Sequence, residues 1–191
     1  MPLGFTIMFM MFAISSSVSS IHLEYKDYTW QRLLSSPIHK ISVLLGYFIA
    51  YFLLGWIQLG ILLTILSIFF NVYIGNFMRI LVFGSFVIGL VVSLGFMIAT
   101  LSHTKKQAEV FSAIIIVGTC CMLGGLYWPL DIVPDMMKKI SLAIPQTWMM
   151  SGFGEIMSGT VNHTILLLDI TVLAAFTIVF MVIGLKNIRS Y

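Results

Sequence analysis

Charge is what this chain has least of. Only 9% of its 191 residues are Asp, Glu, Lys or Arg, against roughly 25% in a soluble domain. Seven acids and ten basic residues cannot build a wetted surface over a composition that is 60% hydrophobic. That inventory excludes a soluble enzyme or binding domain, and a mean hydropathy of +1.06 places the chain in lipid. Cysteine is scarce too. Cys120 and Cys121 are adjacent within an apolar run, where helical neighbours diverge too far for an unstrained bridge. They imply no disulfide framework and no metal site, and read as small core or lipid-facing residues. His22, His39, His103 and His163 are scattered without ligand spacing, so no metal centre and no catalytic residue is expected. No lysine is followed by Ser or Thr. The G-x-x-x-x-G-K-[ST] loop that grips ATP phosphates is therefore absent, so any energy the chain uses comes from a partner or an ion gradient.

What the chain does have is long apolar runs. About 20 apolar residues cross a bilayer core of roughly 30 Å. Five stretches qualify: 2–20, 41–70, 80–101, 110–127 and 165–185. The expected fold is an all-α polytopic membrane protein, with residues 1–191 forming a single transmembrane domain. The first run lacks the basic lead and the cleavage pattern of a signal peptide.

The basic residues orient the spans. Lys26, Arg32, Lys40, Lys105, Lys106, Lys186 and Arg189 fall on one side, and Arg79, Lys138 and Lys139 on the other. The loop 21–40, the His103–Glu109 loop and the C-terminus are thus expected in the cytoplasm. The Asn71–Arg79 loop and the segment 128–164 are expected outside. This leaves the N-terminus outside with no export signal, so the expectation is that a preceding span is missing.

Polar and small residues within the runs carry further expectations. Gln58, near the middle of the second run, should bond across helices or line a cavity. Asp169, about one turn inside the last run, should reach the headgroup layer. Ser85, Gly89 and Ser93 recur every four residues and form a small-residue stripe that lets helix backbones approach. Gly55 and Gly60 can act likewise in the second run.

The segment 128–164 is too polar and too broken for a pair of spans, yet apolar enough for the interface. Helices of about 134–144 and 147–157, separated by Pro145, suit short re-entrant or interfacial elements. In the loop 21–40, Leu23, Trp30, Leu33 and Leu34 share one helical face. Glu24, Lys26, Asp27, Gln31 and Arg32 occupy most of the remainder, and Ser35-Ser36-Pro37 ends the helix. The result is a short amphipathic helix at the membrane surface.

Two stretches carry a family resemblance. EYKDYTWQRLLSSPIHKISVLLGY resembles the cytoplasmic segment of ABC-2-type transporter permeases, through Glu24, Asp27, Thr29, Arg32, Leu33, Leu34, Ser36 and Pro37. Tyr28 stands where the family usually has glycine. GGLYWPLDIVPDMMKKISLAIPQTWMMSGFGEIMSG resembles the family's segment before its last span, through Gly125, Trp128, Pro129, Leu130, Pro134, Pro145, Thr147 and Trp148. The polar loop LSHTKKQAEVFS has the family's look as well.

The resemblance implies spans two to six of a six-span permease in the bacterial cytoplasmic membrane, exporting an amphipathic compound such as a drug, antibiotic or lipid-like molecule. It implies a separate ATPase subunit holding ATP and Mg, and no cofactor in this chain. The amphipathic helix becomes a coupling helix, with Trp30, Leu33 and Leu34 in a groove of that ATPase and Glu24, Asp27 and Arg32 at the rim. Gly125, Trp128, Pro129, Pro134, Pro145 and Trp148 belong to outward re-entrant helices, with both tryptophans as interfacial anchors. A second permease subunit and membrane lipid are the remaining partners, and no nucleic acid is expected. The rival readings are a gradient-driven carrier, dependent on Asp169 or Glu155, and a non-transporting membrane scaffold or immunity protein.

Overall fold

A computed structural model describes residues 2–21, 40–71, 74–121, 124, 134–159 and 162–188. Among these residues all regular structure is helical. The elements are α1 (Pro2–Ser19), α2 (Lys40–Phe70), α3 (Phe77–Leu101), α4 (Lys105–Ala113), α5 (Asp135–Ser141), α6 (Pro145–Ser158) and α7 (His163–Ile188). A π-helical stretch, Ile114–Cys121, continues α4 without a break. Three segments are long and apolar enough to cross a bilayer: Leu45–Phe70, Phe77–Leu101 and His163–Lys186. Leu3–Ser19 is apolar but shorter. The run expected at 110–127 starts earlier, at Lys105, and changes to π-helix at Ile114. The chain is an all-α membrane protein.

The helices pack around α3, which touches α1, α2, α4, α6 and α7. Its sequence accounts for that position. Gly84, Ser85, Gly89, Ser93, Gly95 and Ala99 distribute small side chains around the helix, and small residues let neighbouring backbones close in where lipid supplies no hydrophobic drive. Towards α7 the approach is backbone to backbone, and a Cβ added at Gly184 would lie 3.4 Å from the Met97 backbone nitrogen. On the opposite side a Cβ at Gly95 would meet Val18 of α1 at 3.2 Å. A buried 2.6 Å hydrogen bond between the Ser15 and Ser112 hydroxyls ties α1 to α4.

The two other long helices are one-sided. α2 buries Gly55, Leu59, Leu63 and Leu66, a stripe at helical spacing, while Leu53, Ile57, Ile61, Ile65 and Ile68 on its far side stay exposed. Gly55 lies against Ile88 and Ile14. Gly60 has no atom within 4 Å of where its Cβ would be, so it packs against no other described helix of this chain. α7 buries Leu166, Asp169, Leu173 and Gly184 and exposes Leu167, Ile178, Val179 and Val182.

The helix ends follow ordinary capping chemistry. Asn71 takes φ 49° just past α2, a left-handed conformation that Asn tolerates. Gly75 has φ 79°, and a Cβ there would fall on the Ile156 carbonyl oxygen, so only glycine fits. Thr104 caps α4 by accepting from the Gln107 N–H, while the Gln107 side-chain oxygen accepts from the His103 N–H. This reciprocal cap gives a local reason for the polar, Gln-containing loop.

Candidate functional site

The described part of the outward-expected segment is a helix pair. Pro134 is the N-cap of α5, and Pro145 sits in the first turn of α6, where its missing N–H costs nothing. Asp135 in the first turn of α5 and Lys138 and Lys139 in its last turn complement the helix dipole. The last carbonyls of a helix lack partners of their own. Here the Thr147 hydroxyl donates to the Ser141 carbonyl (2.7 Å) and the Trp148 indole N–H to the Leu142 carbonyl (2.9 Å). The P-Q-T-W stretch thus starts one helix and closes the end of the one before it. The Trp148 indole N–H is thereby committed to the end of α5.

The buried face of α6 comprises Pro145, Gln146, Met149, Gly152, Phe153 and Ile156. Phe153 meets Phe83 of α3 edge to face at 5.0 Å, and Gly152 leaves room for the same ring, which a Cβ would strike. Gln146 is fully buried. Its side-chain N–H donates to the Met11 sulfur at 3.4 Å, and its oxygen has no partner. At the far end, Gly159 (φ 79°) closes α6, the Glu155 carboxylate accepts from the Asn162 N–H (3.1 Å), and Asn162 accepts from the Thr164 N–H (3.1 Å). The α6–α7 turn is therefore built on a carboxylate.

Below that turn lies the main departure from expectation. Asp169, expected to reach the headgroup layer, is buried against the bundle: it is 1% exposed, and neither carboxylate oxygen has a hydrogen-bond partner. Its polar neighbours on α6 are the Ser151 hydroxyl, beside it but outside hydrogen-bonding geometry, and the Glu155 carboxylate. The cause is the packing stripe of α7. Residue 169 shares that face with Leu166 and Leu173, so burying the stripe against α6 and α3 buries the acid too. No local signal marked it, because small and polar residues of α7 lie both on its packed side (Asp169, Thr177, Gly184) and on its exposed side (Thr171, Ala175).

Gln58 points toward α1, where its side-chain N–H donates to the Phe9 carbonyl at 3.4 Å. It also lines a pocket of about 280 Å³ with Ile14, Ser17, Tyr51, Leu54, Ile57, Ile61 and Leu62. Ser93 is buried and Ser85 half-buried, each bonded back to its own helix at Leu90 and Leu81, and Gly89 lies opposite Thr177 of α7. The structure does not bring Gln58 and the stripe into one site. Glu24, Asp27, Thr29, Trp30, Arg32, Leu33 and Leu34, and likewise Gly125, Trp128 and Pro129, lie outside the described residues. Among the described residues no three His, Cys, Asp or Glu side chains cluster in a metal-binding arrangement.

Apolar helices of spanning length and a proline-marked helix pair define an all-α membrane protein. The family model of the ABC-2 family transporter proteins matches residues 1–186, and the chain belongs to that family. It is 35% identical over 187 residues to the linearmycin resistance permease protein LnrN of Bacillus subtilis (strain 168). The alignment covers 98% of this chain and 48% of that relative, so the chain spans about half the relative's length. No solved structure matches.

Proposed function

We propose that this chain belongs to one transmembrane subunit of an ATP-driven exporter in the bacterial cytoplasmic membrane, with its C-terminus in the cytoplasm. The observation that carries the reading is the family match across residues 1–186, joined to whole-chain similarity to a resistance permease. In this reading a separate ATPase subunit docks on residues 24–34. Trp30, Leu33 and Leu34 fill its groove, while Glu24, Asp27 and Arg32 set orientation and encounter rate rather than affinity. Two permease subunits enclose the path, and closure of the ATPase pair switches it from inward-facing to outward-facing. The cargo is an amphipathic compound, in keeping with the exposed apolar faces of α2 and α7 and the Gln58 pocket between α1 and α2.

Co-purification from the native membrane tests this. The wild-type chain is expected to bring down a P-loop ATPase, and Trp30→Ala or Leu34→Glu to lose it. Absence of an ATPase, or equal recovery with both variants, contradicts the reading and leaves a gradient-driven carrier or a non-transporting scaffold or immunity protein.

A further inference from the structure

The buried polar atoms without partners, among the described residues, are all acceptors: both oxygens of Asp169 and the side-chain oxygen of Gln146. A carboxylate removed from water with neither oxygen bonded is costly, and native structures seldom tolerate such a group without a reason. Its neighbourhood increases the demand. Glu155 adds a second negative charge, with one oxygen accepting from the Asn162 N–H. Among the described residues no basic side chain forms an ion pair with either acid. Arg79, near the start of α3, forms no ion pair with either acid, and neither do Lys138 and Lys105, which pair with Asp135 and Glu109. His163, six residues before Asp169, is exposed.

We propose that the seam between α6 and α7, with Asp169 at its floor and Ser151 and Glu155 at its mouth, binds one organic cation of the ammonium type. Three observations specify that ligand. The unmet groups are acceptors, and an ammonium offers three N–H donors and no acceptor. Two carboxylates and a hydroxyl would leave a hard cation, which takes six or more oxygens, dependent on retained waters, whereas a nitrogen-borne charge is satisfied by two or three charge-assisted bonds. The seam is also open at its rim: Ser151 is exposed, Glu155 half-exposed, and Ile165 and Leu168 of α7 stand exposed beside it. A polar floor with an apolar rim suits an amine carrying a hydrocarbon tail. As a recognition point for cargo, the seam would rest on the export reading. As a binding site it does not, because the chain's own residues define it.

The test is a thermal-unfolding titration of the full chain in lipid nanodiscs, with n-butylammonium chloride as probe and sodium chloride and n-butanol as matched controls. Butylammonium is expected to raise the midpoint in a saturable way, and the controls are not. Asp169→Asn is expected to weaken binding about tenfold or more, the loss of a charge-assisted bond. Ser151→Ala and Glu155→Gln, on the more exposed side of the seam, are expected to weaken it by smaller factors and serve if the Asp169 variant fails to fold. Arg79→Gln is expected to leave binding unchanged. An equal shift with sodium chloride, unaltered binding in all three seam variants, no saturable shift, or a shift that emerges only in Arg79→Gln would each overturn the proposal. The last result would mean that the arginine already fills the seam. Because no ATPase takes part, failure here leaves the co-purification result standing, and the reverse also holds.

Discussion

α3 and α7 are nearly the same helix by composition and very different helices in place. Their mean hydropathies are 2.5 and 2.6, and α2 stands at 2.2, yet 72% of the spanning window of α3 is buried against 11% for α7 and 22% for α2. Apolar content says that a segment enters the membrane and says nothing of which neighbours it meets there, because lipid tails are as apolar as leucine. The small residues separate them. α3 carries glycine, serine or alanine on several faces and is enclosed on several faces. α7 brings Asp169, Thr177 and Gly184 to the side on which it packs and leaves Thr171 and Ala175 on its exposed side. The outer faces of α2 and α7 are left for lipid or, in the proposed dimer, for a second subunit.

Three substitutions probe this contrast, from the largest expected effect to the smallest. Gly184→Leu drives a side chain into the Met97 backbone and should separate α7 from α3, at about 2 kcal/mol of folding stability for overpacking a tight contact. Denaturant titration of the reconstituted chain measures it. Trp148→Phe keeps the ring and removes the donor to the Leu142 carbonyl. Its expected cost is about 1 kcal/mol, read as faster hydrogen exchange in α5 while α3 stays protected. Gly60→Leu makes the same exchange as the first variant on the open side of α2, where nothing lies within 4 Å. It should change stability by less than about 0.5 kcal/mol. Equal effects from the two leucines would mean that α2 is as enclosed as α7's inner face.

Much of the helical layout was legible because spanning length and proline placement are local signals. Pro134 and Pro145 mark the starts of α5 and α6, and the apolar runs mark the long helices. Partners were not legible. A helix apolar on every side carries no imprint of its buried face, so nothing local placed Gly60 on the open side or Gly184 against Met97. Asp169 was misplaced for a related reason. Its depth along α7 suggested an easy reach to the headgroups, but its direction is set by the packing of α6, a tertiary fact. The π-helical stretch after Ala113 had no local signature either, since Ile114-Ile115-Ile116 reads as readily as α-helix. The interlock of Thr147 and Trp148 with the end of α5 was visible only as a motif until the carbonyls they serve were placed.

The central claim is that α3 is the enclosed helix of the bundle and that α2 and α7 turn apolar faces outward. Carbene footprinting tests it most directly, with a lipid-phase diazirine photolysed in the bilayer and labels read peptide by peptide on the unmodified chain. Heavy labelling across 53–68 and on 178–183, with little in 83–99, is the result expected from the exposures of these residues. A protected patch within 53–68 or 178–183 would mark where a second subunit covers the bundle. Labelling of 83–99 as heavy as that of α2 would contradict the account.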